Sequence, residues 1–309
     1  MTEAEDQIDW ASLRVAVVAG DERDPEIARL AAEAGAVVSA YGIPWPENGV
    51  PGVNLADSPR AAVEGANYIF LPIPLGVGSR LYAADTSRAI IADQAFFSAA
   101  APDAYAFCGR ATREVRSAAT AAGVRVHEYD PDRELMLLRG PAIVEGALQQ
   151  AIEATDVTIN DAEVVVVGFG NIGQLLARTL RALGARVHVA ARNPIQRAAA
   201  YADGLLPLTL EELPGVAPSL DMVFSTVPAQ VVDRAVLERL PTGALVLDIA
   251  PPPDHADLGA AAELGHRAVW ARGLGKRAPI TVGRSQWMGL RRFITEIERA
   301  RREGTTWPG

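Results

Sequence analysis

The sequence predicts an α/β protein built from two doubly wound parallel-sheet domains with an interdomain cleft. Three observations predict this. Short apolar runs alternate with helical segments on both sides of a central bridge. A glycine-rich turn stands between a strand and a helix just past the middle. The length, 309 residues, suits two domains of about 150 each.

In the first half, residues 14–20 (RVAVVAG) form an apolar run of strand length. Residues 24–36 (DPEIARLAAEAGA) are Ala-rich with acidic residues in the first turn, which predicts a helix. Strands are expected at 37–41, 68–72, 104–108 and 124–129, and helices at 92–99 and 111–122. Residues 130–160 read as the bridge, with Pro141 in the first turn of a helix reaching residue 154. The alternation then resumes. Strands are expected at 163–168, 186–191, 221–226, 244–249 and 267–271, and helices at 171–183, 195–202, 229–240 and 257–264. Residues 285–302 carry apolar residues at helical spacing and then a basic end. This last helix is expected to return to the first domain. The predicted domains are therefore 1–139, joined by 285–309, and 140–284.

Composition narrows the chemistry. A net charge of −9 argues against nucleic acid or an anionic membrane as a general partner. Cys108 is the one cysteine, so no intrachain disulfide and no thiolate metal cluster is possible. His127, His188, His255 and His266 lack ligand spacing, and no metal site is expected. The start, MTEAEDQIDWAS, is acidic and polar, unlike a signal peptide, and no apolar run approaches the ~20 residues of a membrane span. A soluble, cytoplasmic protein is expected. Lys276 is the sole lysine among 29 basic residues. A Tyr-x-x-x-Lys dyad is impossible because Arg272 stands where the tyrosine would be, and mechanisms needing two lysines are excluded.

Gly168, Gly170 and Gly173 form G-x-G-x-x-G between a predicted strand and helix. In that context the motif is a dinucleotide fingerprint, and the domain is Rossmann-like. The first glycine permits the turn, the second lets the backbone approach the pyrophosphate, and the third allows close helix–strand packing. Phe169, Asn171 and Ile172 complete the turn, whose helix N-terminus offers amide donors.

The second strand of this unit ends in Ala-Ala-Arg-Asn. An acidic residue there would bind the free ribose hydroxyls of NAD. Arg192 is instead suited to a 2′-phosphate, with Asn193 adding donors and Arg197 one helical turn further on. The expected cofactor is NADP(H). Two further strand ends point to the same ligand: Ser225, Thr226, Val227 and Pro228 after one strand, and Asp248 on the next. A structural reading of the second set, in which the prolines end strands and Asp248 caps a turn, stands beside the functional one.

Over most of its length the chain resembles the family of dipicolinate synthase A subunits. The resemblance lies in LRVAVVAGDERDPEIARLAAEAGA, GPAIVEGAL, VVVVGFGNIGQLLARTLRALGARVHVAARNP, FSTVP, LVLDIA and ARGLGKRAPITVG. It implies two Rossmann-like domains, NADP, and oxidation of a dihydrodipicolinate-type cyclic imine dicarboxylate to dipicolinate by hydride transfer. It also implies a smaller flavoprotein-like B subunit, in organisms that form endospores; a homo-oligomer is expected too. The chain departs from the family pattern at Pro74 and Leu75, at RGLGK, and at Ile280, where a lysine is common.

Glu145 matches the family's Glu-Gly pair on the bridge helix and is the expected catalytic proton acceptor. Arg110, Arg139 and Arg272 are the expected partners of the two substrate carboxylates. Cys108 reads as a buried apolar residue, and His255 as a surface residue before an acid/base. Alternatives stay open at this stage. They are an NADPH-dependent imine reductase or opine-type enzyme, a 2-hydroxyacid dehydrogenase lacking its usual histidine, and a non-catalytic NADP-sensing protein.

Overall fold

The computed structural model describes residues 8–84, 87–250 and 256–307. They fall into two compact units, one from Met1–Arg139 and Ala278–Gly309, the other from Gly140–Arg277.

The first unit opens with β1 (Arg14–Val18), α1 (Asp24–Glu33), β2 (Val37–Tyr41), β3 (Val53–Leu55), α2 (Pro59–Val63) and β4 (Tyr68–Phe70). A small hairpin of β5 (Gly76–Val77) and β6 (Arg80–Leu81) follows. Then come α3 (Gln94–Phe97), β7 (Tyr105–Cys108), α4 (Arg113–Ala121) and β8 (Arg125–Glu128). Its six-stranded sheet has the order β3-β2-β1-β4-β7-β8, parallel throughout. Helix α5 (Arg133–Ala154) carries the boundary between the units along its length.

The second unit continues with β9 (Glu163–Val167), α6 (Asn171–Ala182), β10 (Arg186–Ala190), α7 (Pro194–Ala202), β11 (Leu206–Leu208) and α8 (Leu213–Val216). It closes with β12 (Met222–Ser225), α9 (Arg234–Leu237), β13 (Leu245–Asp248), α10 (Leu258–Glu263) and β14 (Arg267–Trp270). Its sheet repeats the same plan, β11-β10-β9-β12-β13-β14, again all parallel. Helix α11 (Pro279–Arg302) then belongs to the first unit.

Both sheets are buried on two faces, and the side-chain period of two divides each strand between them. In β9, Val164 and Val166 join Phe169, Leu176 and Leu180 in one core layer, while Val165 and Val167 join Leu213, Leu220 and Leu237 in the other. In β1, Val15 and Val17 pack with Ile27 of α1 and with Trp287, Phe293 and Ile294 of α11; Ala16 and Val18 face the opposite layer.

The structure corrects several element bounds. The bridge helix does not begin at Pro141 but at Arg133, with Pro141 inside it. Asp132 supplies the start signal, because its Oδ1 accepts from the Leu135 amide at 2.8 Å, and Leu135 is buried. Pro141 removes one helical donor without ending the helix. The segment 229–240 holds only α9. Two tight turns after Pro228, Ala229 to Val227 and Val231 to Ala229, occupy its start, and Asp233 caps the short helix. The final helix starts at Pro279, six residues before the expected 285. The three-residue strands β3 and β11 are additional, each at a sheet edge.

Candidate functional site

The glycine turn is built as its spacing predicts. Gly168 follows β9 with φ +97, and a Cβ there would come within 2.5 Å of Val227 and 2.6 Å of the Thr226 hydroxyl. Gly173 is held by backbone: its Cβ would sit 2.2 Å from the Gly168 carbonyl oxygen. Gly170 differs from both. It is the N-cap of α6, its φ is −82, and no atom lies within 4 Å of where its Cβ would be. Neither strain nor crowding explains that glycine. The turn is braced from behind. Gln174 Nε2 donates to the Phe169 carbonyl at 3.1 Å, and Thr226 Oγ1 donates to the Val167 carbonyl at 2.9 Å. Phe169 itself is buried, while Asn171 and Ile172 are half-buried.

Register places Ser225 between Val167 and Asp248 at the carboxyl ends of the central strands. Its hydroxyl is buried without a hydrogen-bond partner among the described residues. Beyond it Thr226 and Val227 are half-buried and Pro228 is exposed. Asp248 is the last residue of β13. It is fully buried, and its two oxygens accept from the amides of Ala250 (2.7 Å) and Ala256 (2.6 Å). His255 lies outside the described residues.

The residues at the end of β10 divide in the same way. Asn193 caps α7, its side chain accepting from the Ile195 amide at 2.9 Å. Arg197 donates to the carbonyls of Ala191 (2.7 Å) and Arg192 (2.8 Å), and so holds the loop. Arg192 is exposed, and its guanidinium has no ion-pair partner among the described residues.

Of the expected substrate and catalytic residues, Arg110 and Arg139 belong to the first unit, Glu145 and Arg272 to the second. Arg110 is exposed just past β7. Arg139, 13% exposed, pairs with Asp130 at 3.3 Å, and the Asp130 amide donates to the carbonyl of Gly109, next to Arg110. Glu145 is 62% exposed and pairs with Arg277. Arg272 stacks on the Trp270 ring, 4.6 Å from its centroid. Burial pushes the Cys108 thiol up to about 12, so it is no thiolate at neutral pH.

A charged cluster that the sequence motifs do not disclose lies at the carboxyl edge of the first sheet. Asp21 and Arg23, both buried, form a two-point pair at 2.7 and 2.8 Å. Arg23 also donates to the Ile73 carbonyl. Asp24 begins α1, and its carboxylate accepts from the Asp21 amide at 2.8 Å. Burial pushes the Asp24 carboxyl up to about 7, against the pull of that amide and of Arg23. Tyr129 is buried beside them, its hydroxyl 3.4 Å from Gln286 Nε2. The signal in the sequence is GDERDP, four charges placed directly after an apolar strand.

Comparison with known proteins agrees with this geometry. Residues 14–129 match the family described as the N-terminal domain of the dipicolinate synthase A subunit. Along 288 residues the chain is 28% identical to the A subunit of dipicolinate synthase from Bacillus subtilis strain 168, covering 93% of this chain and 97% of that one. The chain is similar to the dipicolinate synthase A subunits along nearly its whole length. The crystal structure of the Bacillus halodurans protein of that name superposes with a TM-score of 0.85 at 25% identity, covering 91% of this chain and 97% of that one. Residues 142–266 match the family described as S-adenosyl-L-homocysteine hydrolase, NAD binding domain. A transhydrogenase from Sinorhizobium meliloti shares the fold alone, at TM-score 0.65 and 14% identity, covering 91% of this chain and 93% of that one. The second unit thus has the Rossmann-like parallel plan and matches an NAD-binding domain model. Among the described residues no helix is long and apolar enough to cross a membrane, and no group of side chains is arranged to hold a metal ion.

Proposed function

We propose that the chain oxidises a dihydrodipicolinate-type cyclic imine dicarboxylate to dipicolinate with NADP+ as hydride acceptor. The observation that carries the cofactor choice is the exposed Arg192 guanidinium at the end of β10, without an ion-pair partner among the described residues. The substrate follows from similarity to the dipicolinate synthase A subunits along nearly the whole chain.

When bound, NADP+ supplies the hydride-accepting carbon, and the protein supplies position, charge and a path for the proton. Gly168, Phe169, Gly170, Asn171, Ile172 and Gly173 hold the pyrophosphate against the start of α6. Arg192 binds the 2′-phosphate, on a loop that Asn193 and Arg197 keep in shape. Ser225, Thr226, Val227 and Pro228 line the nicotinamide ribose, beside Asp248, which accepts from the amides of Ala250 and Ala256. Arg110, Arg139 and Arg272 are the proposed partners for substrate carboxylates. Glu145 is a weaker candidate for proton transfer, given its exposure and its pairing with Arg277.

The domain roles follow: the first unit, with α11, takes the substrate and the second takes the cofactor. We place the chain in the cytoplasm, self-associating and working with a flavoprotein-like B subunit, because its relatives are named as one component of a synthase. The test is an anaerobic assay with freshly generated dihydrodipicolinate, following NADPH and the pyridine product together. Both should appear with the enzyme and NADP+. Tight NADPH binding with no turnover of any dihydropyridine or cyclic imine would overturn the reading.

A further inference from the structure

The parallel pairing of β7 and β8 runs on past the ends of both strands. The Tyr129 amide donates to the Cys108 carbonyl at 3.0 Å, and the Asp130 amide to the Gly109 carbonyl at 3.0 Å. Asp130 is thereby brought abreast of the turn that carries Arg110. Its carboxylate leans onto that turn. A Cβ on Gly109 would lie 2.9 Å from Asp130 Oδ1 and 3.1 Å from Ile73 Cγ1. Gly109 has no positive φ, so close packing rather than backbone strain calls for glycine there.

The same oxygen, Oδ1, accepts from Arg139 Nη2 at 3.3 Å. That pair is unlike the buried one nearby. Arg23 engages Asp21 through two nitrogens at 2.7 and 2.8 Å and gives a further N–H to the Ile73 carbonyl. Arg139 has a single long contact to a carboxylate, and its Nε meets only the weakly accepting Met136 sulfur, at 3.0 Å. Its Nη1 has no acceptor among the described residues. The side chain is nevertheless only 13% exposed. A guanidinium largely withdrawn from water and held at one corner keeps donors for an anionic ligand.

We propose that Asp130 is a positioning residue for substrate recognition. It sets Arg139 and the Arg110 turn at a fixed spacing, which selects a ring bearing two carboxylates over a ring bearing one. The inference deepens the function proposed above and rests on its assignment of Arg110 and Arg139 to the substrate carboxylates. Asp130 itself touches no substrate. It holds the Arg139 guanidinium on one side and the backbone of the turn on the other, and all three residues belong to the first unit.

Asp130 also carries a negative charge, which by itself repels an anionic substrate. The carboxylate is 30% exposed, so solvent screens that repulsion, whereas a displaced guanidinium loses its contact with the ligand directly. The two effects have opposite signs. Removing Asp130 weakens binding of a dicarboxylate if it positions the cations, and tightens it if it only repels the anion.

The test titrates pyridine-2,6-dicarboxylate and pyridine-2-carboxylate calorimetrically into the full chain saturated with NADP+, beside KM and kcat for dihydrodipicolinate. Asp130→Ala and Gly109→Ala should each weaken the dicarboxylate by about 10-fold or more and the monocarboxylate by at most about 3-fold. KM should rise in step with the dicarboxylate Kd, with NADP+ affinity unchanged. Gly109→Ala added to Asp130→Ala should cost little more, because the new Cβ enters the space that the carboxylate left. Equal losses for the two pyridine acids, a loss confined to kcat or to stability, or tighter dicarboxylate binding would each overturn the proposal. If one single variant does not fold, the other decides. A wild type that binds neither acid removes the proposed function together with this inference. A wild type that discriminates between them, with variants that discriminate equally well, removes only the inference.

Discussion

The carbonyl oxygen of Gly168 lies 2.2 Å from the point where Gly173 would carry a Cβ. Helix α6 thus packs against the end of β9 at a distance that only glycine permits. Gly170, two residues past Gly168, meets nothing within 4 Å. Substitution at these two positions therefore separates packing from binding.

Gly173→Ala should force the helix off the turn and destabilise the fold by about 1–3 kcal/mol, with cofactor affinity falling as well. Gly170→Val should cost at most about 1 kcal/mol of stability, yet block the pyrophosphate. Urea unfolding and NADPH fluorescence titration of both variants measure the two effects. Gly170→Val with undiminished NADPH affinity would contradict the role given to that residue.

The Asp24 carboxyl sets a pH dependence of stability. Its folded-state pKa is raised from 3.8 to about 7. Between those values the folded chain holds a proton that the unfolded chain has released. Stability from this group is therefore present below about pH 4 and declines as pH rises to about 7, by a few kcal/mol. Asp24→Asn should remove that decline. Urea midpoints at about pH 5 and 8 should fall further in the wild type than in the variant. Parallel profiles would mean that the carboxyl is ionised in the fold at both pH values.

What the sequence reveals and conceals follows from the range of the interactions. The strand Glu163–Val167 and its glycine turn are legible because four consecutive valines and three spaced glycines act locally. The start of α5 is obscured by two competing local signals. Pro141 suits a first turn, but Asp132 captures the Leu135 amide and starts the helix earlier. Strands β3 and β11 have three residues each and lie at sheet edges, where Pro207 is tolerated within β11. They are too short for a period to show. The Asp24–Tyr129–Gln286 neighbourhood joins three distant stretches of chain, and only the sheet order and the seat of α11 bring them together.

Arg192 and Arg197 should behave differently although they stand five residues apart. Arg192→Ala removes a charge-assisted contact worth about 1.5–3 kcal/mol, which weakens NADP binding by roughly 10- to 150-fold and leaves NAD binding unchanged. Arg197→Ala releases the carbonyls of Ala191 and Arg192, so both cofactors should bind less well. Calorimetric titration of the two cofactors at fixed salt distinguishes the outcomes. Equal losses for NADP and NAD in Arg192→Ala would assign that residue to the fold.

Hydride transfer from substrate to NADP+ is followed most directly by isotope. Dihydrodipicolinate labelled with deuterium at the ring carbon that is oxidised is incubated anaerobically with the enzyme and NADP+, and the reduced cofactor is isolated for mass spectrometry. The account predicts one deuterium in each NADPH formed, with dipicolinate appearing in equal amount. Unlabelled NADPH, or dipicolinate formed without reduced cofactor, would contradict it.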